Sequence, residues 1–165
     1  MKTLVLVRHA KSDWDNPDLQ DIDRPLNLRG IKGSEVMAEA ISKKGPKADL
    51  IISSPALRAR TTANKFAEKQ NYAFEEIKIE SDIYFGSWRN VLLIIRDIED
   101  KNQTVYLFGH NPTISNLCHN IAFNFNDMFP TCGVVCLDFE IDSWIDIESV
   151  RGKVRYFDCP KKHLS

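Results

Sequence analysis

The sequence predicts an α/β protein, a three-layer α/β/α sandwich around a mainly parallel, mixed sheet. Short apolar runs that fit buried strands alternate with helical stripes of apolar residues over most of the 165 residues. The first run, residues 3–7, is apolar or β-branched throughout, which is typical of a strand buried on both faces. The length suits one sizeable core, and we therefore expect residues 1–165 to form a single domain.

Further strands are predicted wherever a short apolar or alternating run is bounded by polar or turn-forming residues. These runs are residues 48–52, 75–80, 104–108 and 132–141, with residues 154–157 pairing beside the last of them. The run at 75–80 alternates around two isoleucines and is expected near an edge of the sheet.

Helices are predicted between the strands, each from a start signal followed by an apolar stripe. The start signals, in chain order, are Asn27, Ser54 with Pro55 as the first helical residue, Ser87, and Asn111-Pro112. Gly45-Pro46 ends the first helix, and the second extends to about residue 70.

Composition excludes a general attraction to polyanions. The chain has 22 Lys and Arg against 23 Asp and Glu, a net charge of -1, so we expect no nucleic-acid or membrane partner and only a local anion site. The N-terminal apolar run is too short for a signal peptide, and no run approaches the ~20 apolar residues that cross a bilayer. The cysteines are expected to be buried, reduced thiols, which predicts a cytoplasmic protein. They are Cys118, Cys132, Cys136 and Cys159.

Three predicted strand-to-helix junctions carry the residues that do not suit a core. They are Arg8-His9, the run at 53–58 that places Arg58 in the first helical turn, and Gly109-His110. If the strands are parallel, these junctions meet at one edge of the sheet, where ligands of open α/β sheets bind. Guanidiniums bind phosphoryl oxygens bidentately, and a neutral imidazole can attack phosphorus. The pattern therefore favours a phosphate site with His9 as the nucleophile.

The ordered set of junctions resembles the histidine phosphatase superfamily. The matching motifs are Arg8-His9 after a buried strand, Ser-Ser-Pro-Ala-Leu-Arg-Ala-Arg-Thr-Thr-Ala at residues 53–63, and Gly109-His110-Asn111. The small size, the segment Asp23-Arg24-Pro25-Leu26 and the ending with Trp144, Pro160 and Leu164 look like the SixA-type phosphohistidine phosphatase branch. The resemblance runs from Val5 to the C-terminus.

The resemblance implies a phosphoglycerate-mutase-like fold and a metal-independent phosphatase without a cofactor. His9 would take the phosphoryl group before water releases it as phosphate. Arg8 and Arg58 would hold the phosphoryl oxygens, and His110 would stabilise charge in the transition state. The implied substrate is a protein that carries phosphohistidine, or a related small phosphorylated molecule.

Arg24 matches a further arginine of the SixA-type phosphate pocket. The alternative for Arg24 is a plain ion pair with Asp21 or Asp23, which lie three residues and one residue before it.

Two positions depart from the superfamily pattern. Ala10 stands where glycine is usual, and residues 83–85 (Ile-Tyr-Phe) fall where many members carry Leu-x-Glu, whose acid protonates the leaving oxygen. Asp82 and Asp13 are the two candidates to replace that acid. A phosphoramidate needs less help, because its imidazole nitrogen is readily protonated. The departure therefore favours phosphohistidine over phosphate monoesters and argues against mutase activity.

Two other functions stay open. One is a small-molecule phosphomonoesterase of the same superfamily, with Asp82 or Asp13 as the acid, and the other is a phospho-ligand binding module with negligible turnover. The sequence has no Gly-x-x-x-x-Gly-Lys-Ser/Thr loop, no Cys followed six residues later by Arg, and no His-Glu-x-x-His motif. P-loop, cysteine-loop and zinc chemistries of those types therefore have no support.

Overall fold

The computed structural model describes residues 1–164, and its six-stranded sheet has the predicted mixed topology. The strands are β1 (Lys2–Arg8), β2 (Leu50–Ser53), β3 (Lys78–Ile79), β4 (Thr104–Gly109), β5 (Val134–Phe139) and β6 (Lys153–Asp158). They lie in the order β3-β2-β4-β1-β5-β6. The first four strands pair in parallel, whereas β5 and β6 join through antiparallel pairs. The carboxyl ends of β1, β2 and β4 therefore share one edge of the sheet.

Helices follow most strands, as the sequence predicts. The α-helices are α1 (Leu28–Lys44), α2 (Leu57–Lys69), α3 (Asp82–Phe85), α4 (Trp88–Arg96) and α5 (Thr113–Ile121). Short 3-10 turns lie at Asp21–Asp23, Phe74–Glu76, Trp144–Ser149 and Pro160–Lys162. The start signals of two helices are confirmed, because the Asn27 side chain accepts the Gly30 N–H at 2.8 Å and Ser87 forms a capping box with Asn90.

Two hydrophobic cores lie on opposite faces of the sheet and create the three layers. On β1 the side chains alternate between them. Leu4 and Leu6 pack in the core that includes α4 and α5, whereas Val5 and Val7 pack in the core that includes α1 and α2. All four side chains are fully buried. The predicted α/β/α class is confirmed, and β1 is the central strand that the first apolar run indicates.

The predicted start of α2 is wrong by two residues. Ser54 and Pro55 lie outside the helix, which begins at Leu57 with Ala56 as its N-cap residue. The Ser54 N–H donates to the Phe108 carbonyl of β4 at 3.0 Å, and the Ser54 hydroxyl accepts the Ala56 N–H at 3.1 Å. Ser54 therefore prolongs the strand edge and turns the chain, instead of capping the helix.

Two predicted strands are shorter in the structure. The run at 75–80 contributes only β3, because residues 74–76 form a 3-10 turn. The run at 132–141 begins as β5 at Val134, since Cys132 has a φ of 57°, which lies outside the strand region. The short helix α3 and the turn at Trp144–Ser149 were not anticipated, because their apolar spacing is too brief to show a helical period.

The four cysteines are free thiols. Cys118, Cys132 and Cys136 are buried as expected, but Cys159 is only half-buried. None of the helices within residues 1–164 is long and apolar enough to cross a membrane.

Candidate active site

The three junctions meet above the shared edge of β1, β2 and β4. They open into a cleft of about 690 Å³. The side chains predicted to be catalytic or phosphate-binding all line it, namely Arg8, His9, Arg24, Arg58 and His110. The imidazole rings of His9 and His110 lie 5.1 Å apart, centroid to centroid. Residues that are about 100 positions apart in the chain are thus neighbours, because parallel pairing aligns the ends of β1 and β4.

His9 is held in one tautomer by the backbone beside it. Its Nδ1 lies 2.7 Å from the Ala10 carbonyl oxygen, which can only accept a hydrogen bond. The proton therefore sits on Nδ1, and Nε2 carries the lone pair. The side chain is only 8% exposed, so the ring is fixed at the floor of the cleft. The Ala10 N–H donates in turn to the Thr62 hydroxyl at 3.0 Å, which anchors this turn to α2.

Both imidazoles are neutral at physiological pH. Burial, together with the nearby guanidiniums of Arg58 and Arg8 and against the hydrogen bond to the Ala10 carbonyl, lowers the pKa of His9 to about 4. Burial, followed by the neighbouring His9 ring, lowers the pKa of His110 to about 3. Because His9 is neutral, its Nε2 lone pair is available, and no general base is needed to remove a proton from it.

These pKa shifts predict an acid-sensitive fold. Each pKa is lower in the folded chain than the ordinary 6.5, so the unfolded state binds more protons below that pH. The contribution of the two neutral histidines to the free energy of unfolding is therefore fully present above about pH 6.5, and it is lost as the pH falls toward 4. We expect each histidine to remove about 2 kcal/mol from the free energy of unfolding between pH 7 and pH 5.

Urea unfolding at both pH values measures this loss, with His110→Gln as the variant in which one contribution disappears. His119→Gln is the matched control, because the His119 ring lies outside the cleft, where it bonds the Asp127 carbonyl and neighbours the Phe125 ring. Equal pH dependence in wild type and His110→Gln would contradict the assignment.

Two guanidiniums, one half-buried and one buried, each have a buried N–H group without an acceptor. Arg8 donates through Nη1 to the Phe129 carbonyl at 2.9 Å, and Arg58 donates through Nη1 to the Asp21 carbonyl at 2.6 Å. The Nε of Arg8 and the Nε of Arg58 are buried and have no hydrogen-bond partner among the described residues. A buried N–H without an acceptor costs free energy. Both arginines line the cleft, where the N–H groups that they do not use in these bonds can bind an anion with several oxygens.

His110 is oriented by Ser54, a residue that the sequence analysis assigned to a helix cap. The His110 Nε2 lies 2.7 Å from the Ser54 hydroxyl oxygen. That oxygen also accepts the Ala56 N–H, so the turn before α2 holds the His110 ring in one orientation. Nδ1 is the ring nitrogen that Ser54 leaves for a ligand.

Asp21 and Tyr84 are cleft residues that sequence reasoning did not single out. The Asp21 carboxylate accepts from Arg24, Arg58 and Tyr84. The Tyr84 ring stands edge-on to His110, with centroids 5.4 Å apart. The spacing of Asp21 and Arg24 is an ion-pair signal, and that pair does form. Nothing in the sequence indicates the contacts with Arg58 and Tyr84.

The two carboxylates considered as proton donors lie elsewhere. Asp82 and Asp13 are not among the described residues that line the cleft, and Asp13 instead accepts the Asp15 N–H at 2.6 Å within its own loop. Asp21 is the carboxylate that lines it. The hydrogen bond from Tyr84, followed by those from Arg58 and Arg24, holds the pKa of Asp21 well below its usual range. This carboxyl is therefore ionised and has no proton to donate.

Comparison with known proteins identifies the class. The family model of the histidine phosphatase superfamily, branch 1, matches residues 4–92, more than half of the chain. The chain therefore belongs to this superfamily, whose members are phosphatases, and is a phosphoric hydrolase by class.

A solved structure narrows the likeness within the superfamily. A provisionally assigned phosphohistidine phosphatase SixA from Agrobacterium tumefaciens is 27% identical, and the match covers 96% of this chain and 98% of that one with a TM-score of 0.82. The predicted resemblance to SixA-type proteins is confirmed.

Several relatives also match by sequence. An uncharacterized protein of Mycobacterium tuberculosis is 29% identical over 94% of this chain and 100% of its own length. An uncharacterized chloroplastic protein of Arabidopsis thaliana is 43% identical over 37% of this chain, a match that spans only 28% of that protein. Phosphoserine phosphatase 1 of Hydrogenobacter thermophilus is 35% identical over 56% of this chain and 44% of its own length.

Proposed function

We propose that this protein removes phosphoryl groups from phosphohistidine in proteins, through a phosphorylated His9 and without a metal ion. The observation that carries the proposal is the state of His9: it is buried and neutral, its Nδ1 is bound to the Ala10 carbonyl, and its Nε2 is left free near guanidiniums that keep unused N–H groups. We further propose that residues 1–165 act as one domain, and that its free cysteines reflect a cytoplasmic protein.

The proposed first step is attack of the His9 Nε2 lone pair on phosphorus. The bond from phosphorus to the leaving group breaks, and a P–N bond to Nε2 forms. The ring becomes positively charged, and the Nδ1–H bond to Ala10 stabilises that charge. Water then attacks phosphorus, the P–N bond breaks, and neutral His9 and phosphate are regenerated. Each step conserves atoms and charge without a cofactor.

The other predicted residues bind the oxygens of the transferring group. Arg8 and Arg58 offer the N–H groups that their bonds to Phe129 and Asp21 leave unused, and Arg24 borders the same cleft. With the Ser54 hydroxyl as the donor to Nε2, His110 adds an Nδ1–H donor. Preorganised donors of this kind stabilise charge in the transition state more strongly than water does.

The leaving group is inferred from what the cleft lacks. No described residue that lines it is a protonated carboxylic acid, since Asp21 is held ionised. An alkoxide leaving group requires such an acid, whereas the imidazole of a phosphohistidine takes a proton readily. This difference supports a phosphoramidate substrate over a phosphate monoester.

A second candidate is a small-molecule phosphomonoesterase, which the similarity to a phosphoserine phosphatase favours. It would use Asp82 or Asp13 as the acid after the cleft closes. A third candidate is a phospho-ligand binding module. Two neutral imidazoles in van der Waals range are more than binding alone requires, which argues against that module.

The substrate test compares two peptides of one sequence that carry phosphohistidine or phosphoserine, with EDTA present throughout. We expect kcat/KM to be at least about 10²-fold higher for phosphohistidine, because a general acid contributes 10² or more to release of a poor leaving group. Equal rates on both peptides, abolished by Asp82→Asn or Asp13→Asn, would favour the phosphomonoesterase. Tight binding without turnover indicates the binding module, and loss of activity in EDTA contradicts the metal-free reaction.

A further inference from the structure

One carboxylate joins three of the side chains around the cleft. Asp21 Oδ1 accepts from Arg24 Nε at 3.0 Å, and Oδ2 accepts from Arg58 Nη2 at 2.9 Å and from the Tyr84 hydroxyl at 2.5 Å. The backbone carbonyl of Asp21 accepts a second bond from Arg58, through Nη1. Asp21 therefore bonds both Nη atoms of Arg58, Nη1 through its backbone carbonyl and Nη2 through its carboxylate.

These bonds leave specific N–H groups of Arg58 and Arg24 available to a ligand. Arg58 uses one N–H of each Nη atom on Asp21, so one further N–H on each Nη and the buried Nε–H remain unused. Arg24 uses Nε on Asp21 and Nη1 on the Ser12 hydroxyl at 2.9 Å, and Trp14 covers its face with the ring centroid 3.4 Å from Cζ. Each guanidinium is therefore fixed in one plane, with one edge still open.

Stability does not explain this arrangement. The Asp21 side chain is 47% exposed, whereas those of Arg24 and Arg58 are 8% and 7% exposed. Ion pairs with a solvent-exposed partner contribute little to folding, because water screens them and ordering the side chains costs entropy. What Asp21 does control is the direction in which two buried, flexible arginines present their remaining N–H groups.

We infer that Asp21 is a positioning residue for phosphoryl transfer, which orients Arg24 and Arg58, and that Tyr84 in turn orients Asp21. The inference rests on the proposed function, since the oriented donors are those proposed to hold the phosphoryl oxygens. Tyr84 connects Asp21 with His110, because its hydroxyl bonds Asp21 and its ring stands edge-on to the His110 ring. The segment that lacks the usual acid therefore has another role, which is to hold the anion site in shape.

The alternative role for Asp21 is to compete with a phosphoryl group for the guanidiniums of Arg24 and Arg58. A carboxylate on two guanidiniums can occupy them until a phosphoryl group displaces it, and its removal would then tighten anion binding. The two roles predict opposite changes in phosphate affinity. Asp21→Asn separates them, because it keeps the shape but replaces one acceptor oxygen by a donor that faces a guanidinium.

The decisive experiment measures binding of inorganic phosphate by calorimetry and, separately, kcat and KM on a phosphohistidine peptide. For Asp21→Asn we expect phosphate affinity to fall about 10-fold and kcat/KM to fall by 10- to 100-fold, since misplaced groups lose much of the benefit of orientation. Asp23→Asn is the matched control, because Asp23 lies in the same 3-10 turn, is exposed and forms no ion pair among the described residues. The control should match wild type in both measurements.

The Tyr84→Phe variant tests whether Tyr84 orients Asp21, and it leaves the Asp21 carboxylate in place. Loss of the hydroxyl should lower kcat/KM severalfold, and in the Asp21→Asn background the same change should add less than about twofold, because the two residues act as one unit. Tyr72→Phe is the control, as the Tyr72 hydroxyl bonds the Glu76 carbonyl away from the cleft.

The outcomes distinguish this inference from the proposed function. Unchanged or tighter phosphate binding in folded Asp21→Asn overturns the positioning role, as do additive effects in the double variant. If Asp21→Asn does not fold, Tyr84→Phe with wild-type phosphate affinity and kcat/KM has the same meaning. Absence of turnover in wild type, with phosphate affinity still reduced by Asp21→Asn, contradicts the function and leaves the positioning role supported.

Discussion

His9→Ala is expected to lower kcat by at least about 10⁴-fold and to abolish the phosphoryl adduct on the protein. The reason is that the substitution removes the atom proposed to form the bond to phosphorus, while the guanidiniums stay in place to bind substrate. KM should therefore change far less than kcat. The fold should survive, because His9 contributes a ring to the cleft floor and none to the two hydrophobic cores.

The measurement is a rapid quench at alkaline pH, where phosphohistidine survives, followed by mass spectrometry of the intact protein and its peptides. Wild type should gain one phosphoryl group, located on His9. His119→Ala serves as the control, since this histidine contacts the Asp127 carbonyl and lies outside the cleft. An adduct that persists in His9→Ala, or phosphate release at the wild-type rate, would remove the mechanism.

The sequence was sufficient to predict that the principal side chains lie together, because parallel strands place their carboxyl ends at one edge of the sheet. Arg8-His9 and Gly109-His110 each follow a buried strand, and β1 and β4 pair in register so that Arg8 lies opposite Gly109. Once alternating strands and helices indicate a parallel sheet, every strand end at that edge is a candidate. Arg58 follows by the same logic, because it lies in the first turn after β2.

The parts that were missed depend on contacts between loops. Asp21 reaches Arg58 across 37 residues, and Tyr84 reaches Asp21 across 63. Neither pair has a periodic spacing, and the residues lie in a 3-10 turn and a four-residue helix that no apolar pattern marks. The error at Ser54 has a related cause: its hydroxyl suits a helix cap, but the turn and His110 use it instead. Local rules identify the residue type and tertiary contacts decide its partner.

Arg58→Lys is expected to lower kcat/KM by about 10²- to 10³-fold, with most of the loss in kcat. The change keeps the positive charge, so the loss reports geometry. Arg58 uses one N–H of each Nη atom on Asp21 and keeps further N–H groups for the ligand. A lysine ammonium is a single centre on a flexible stem and cannot serve Asp21 and a phosphoryl oxygen at those separated positions.

Arg60→Lys is the matched control, because Arg60 lies in the same helical turn but is exposed and bonds only the Pro55 carbonyl. It should retain wild-type kinetics, and both variants should unfold at wild-type urea concentrations within the error of the measurement. If Arg58→Lys kept kcat/KM within about twofold, charge alone would be enough at this position. The rigid guanidinium would then be unnecessary, and the fixed orientation that Asp21 imposes on it could not be part of how this cleft handles phosphate.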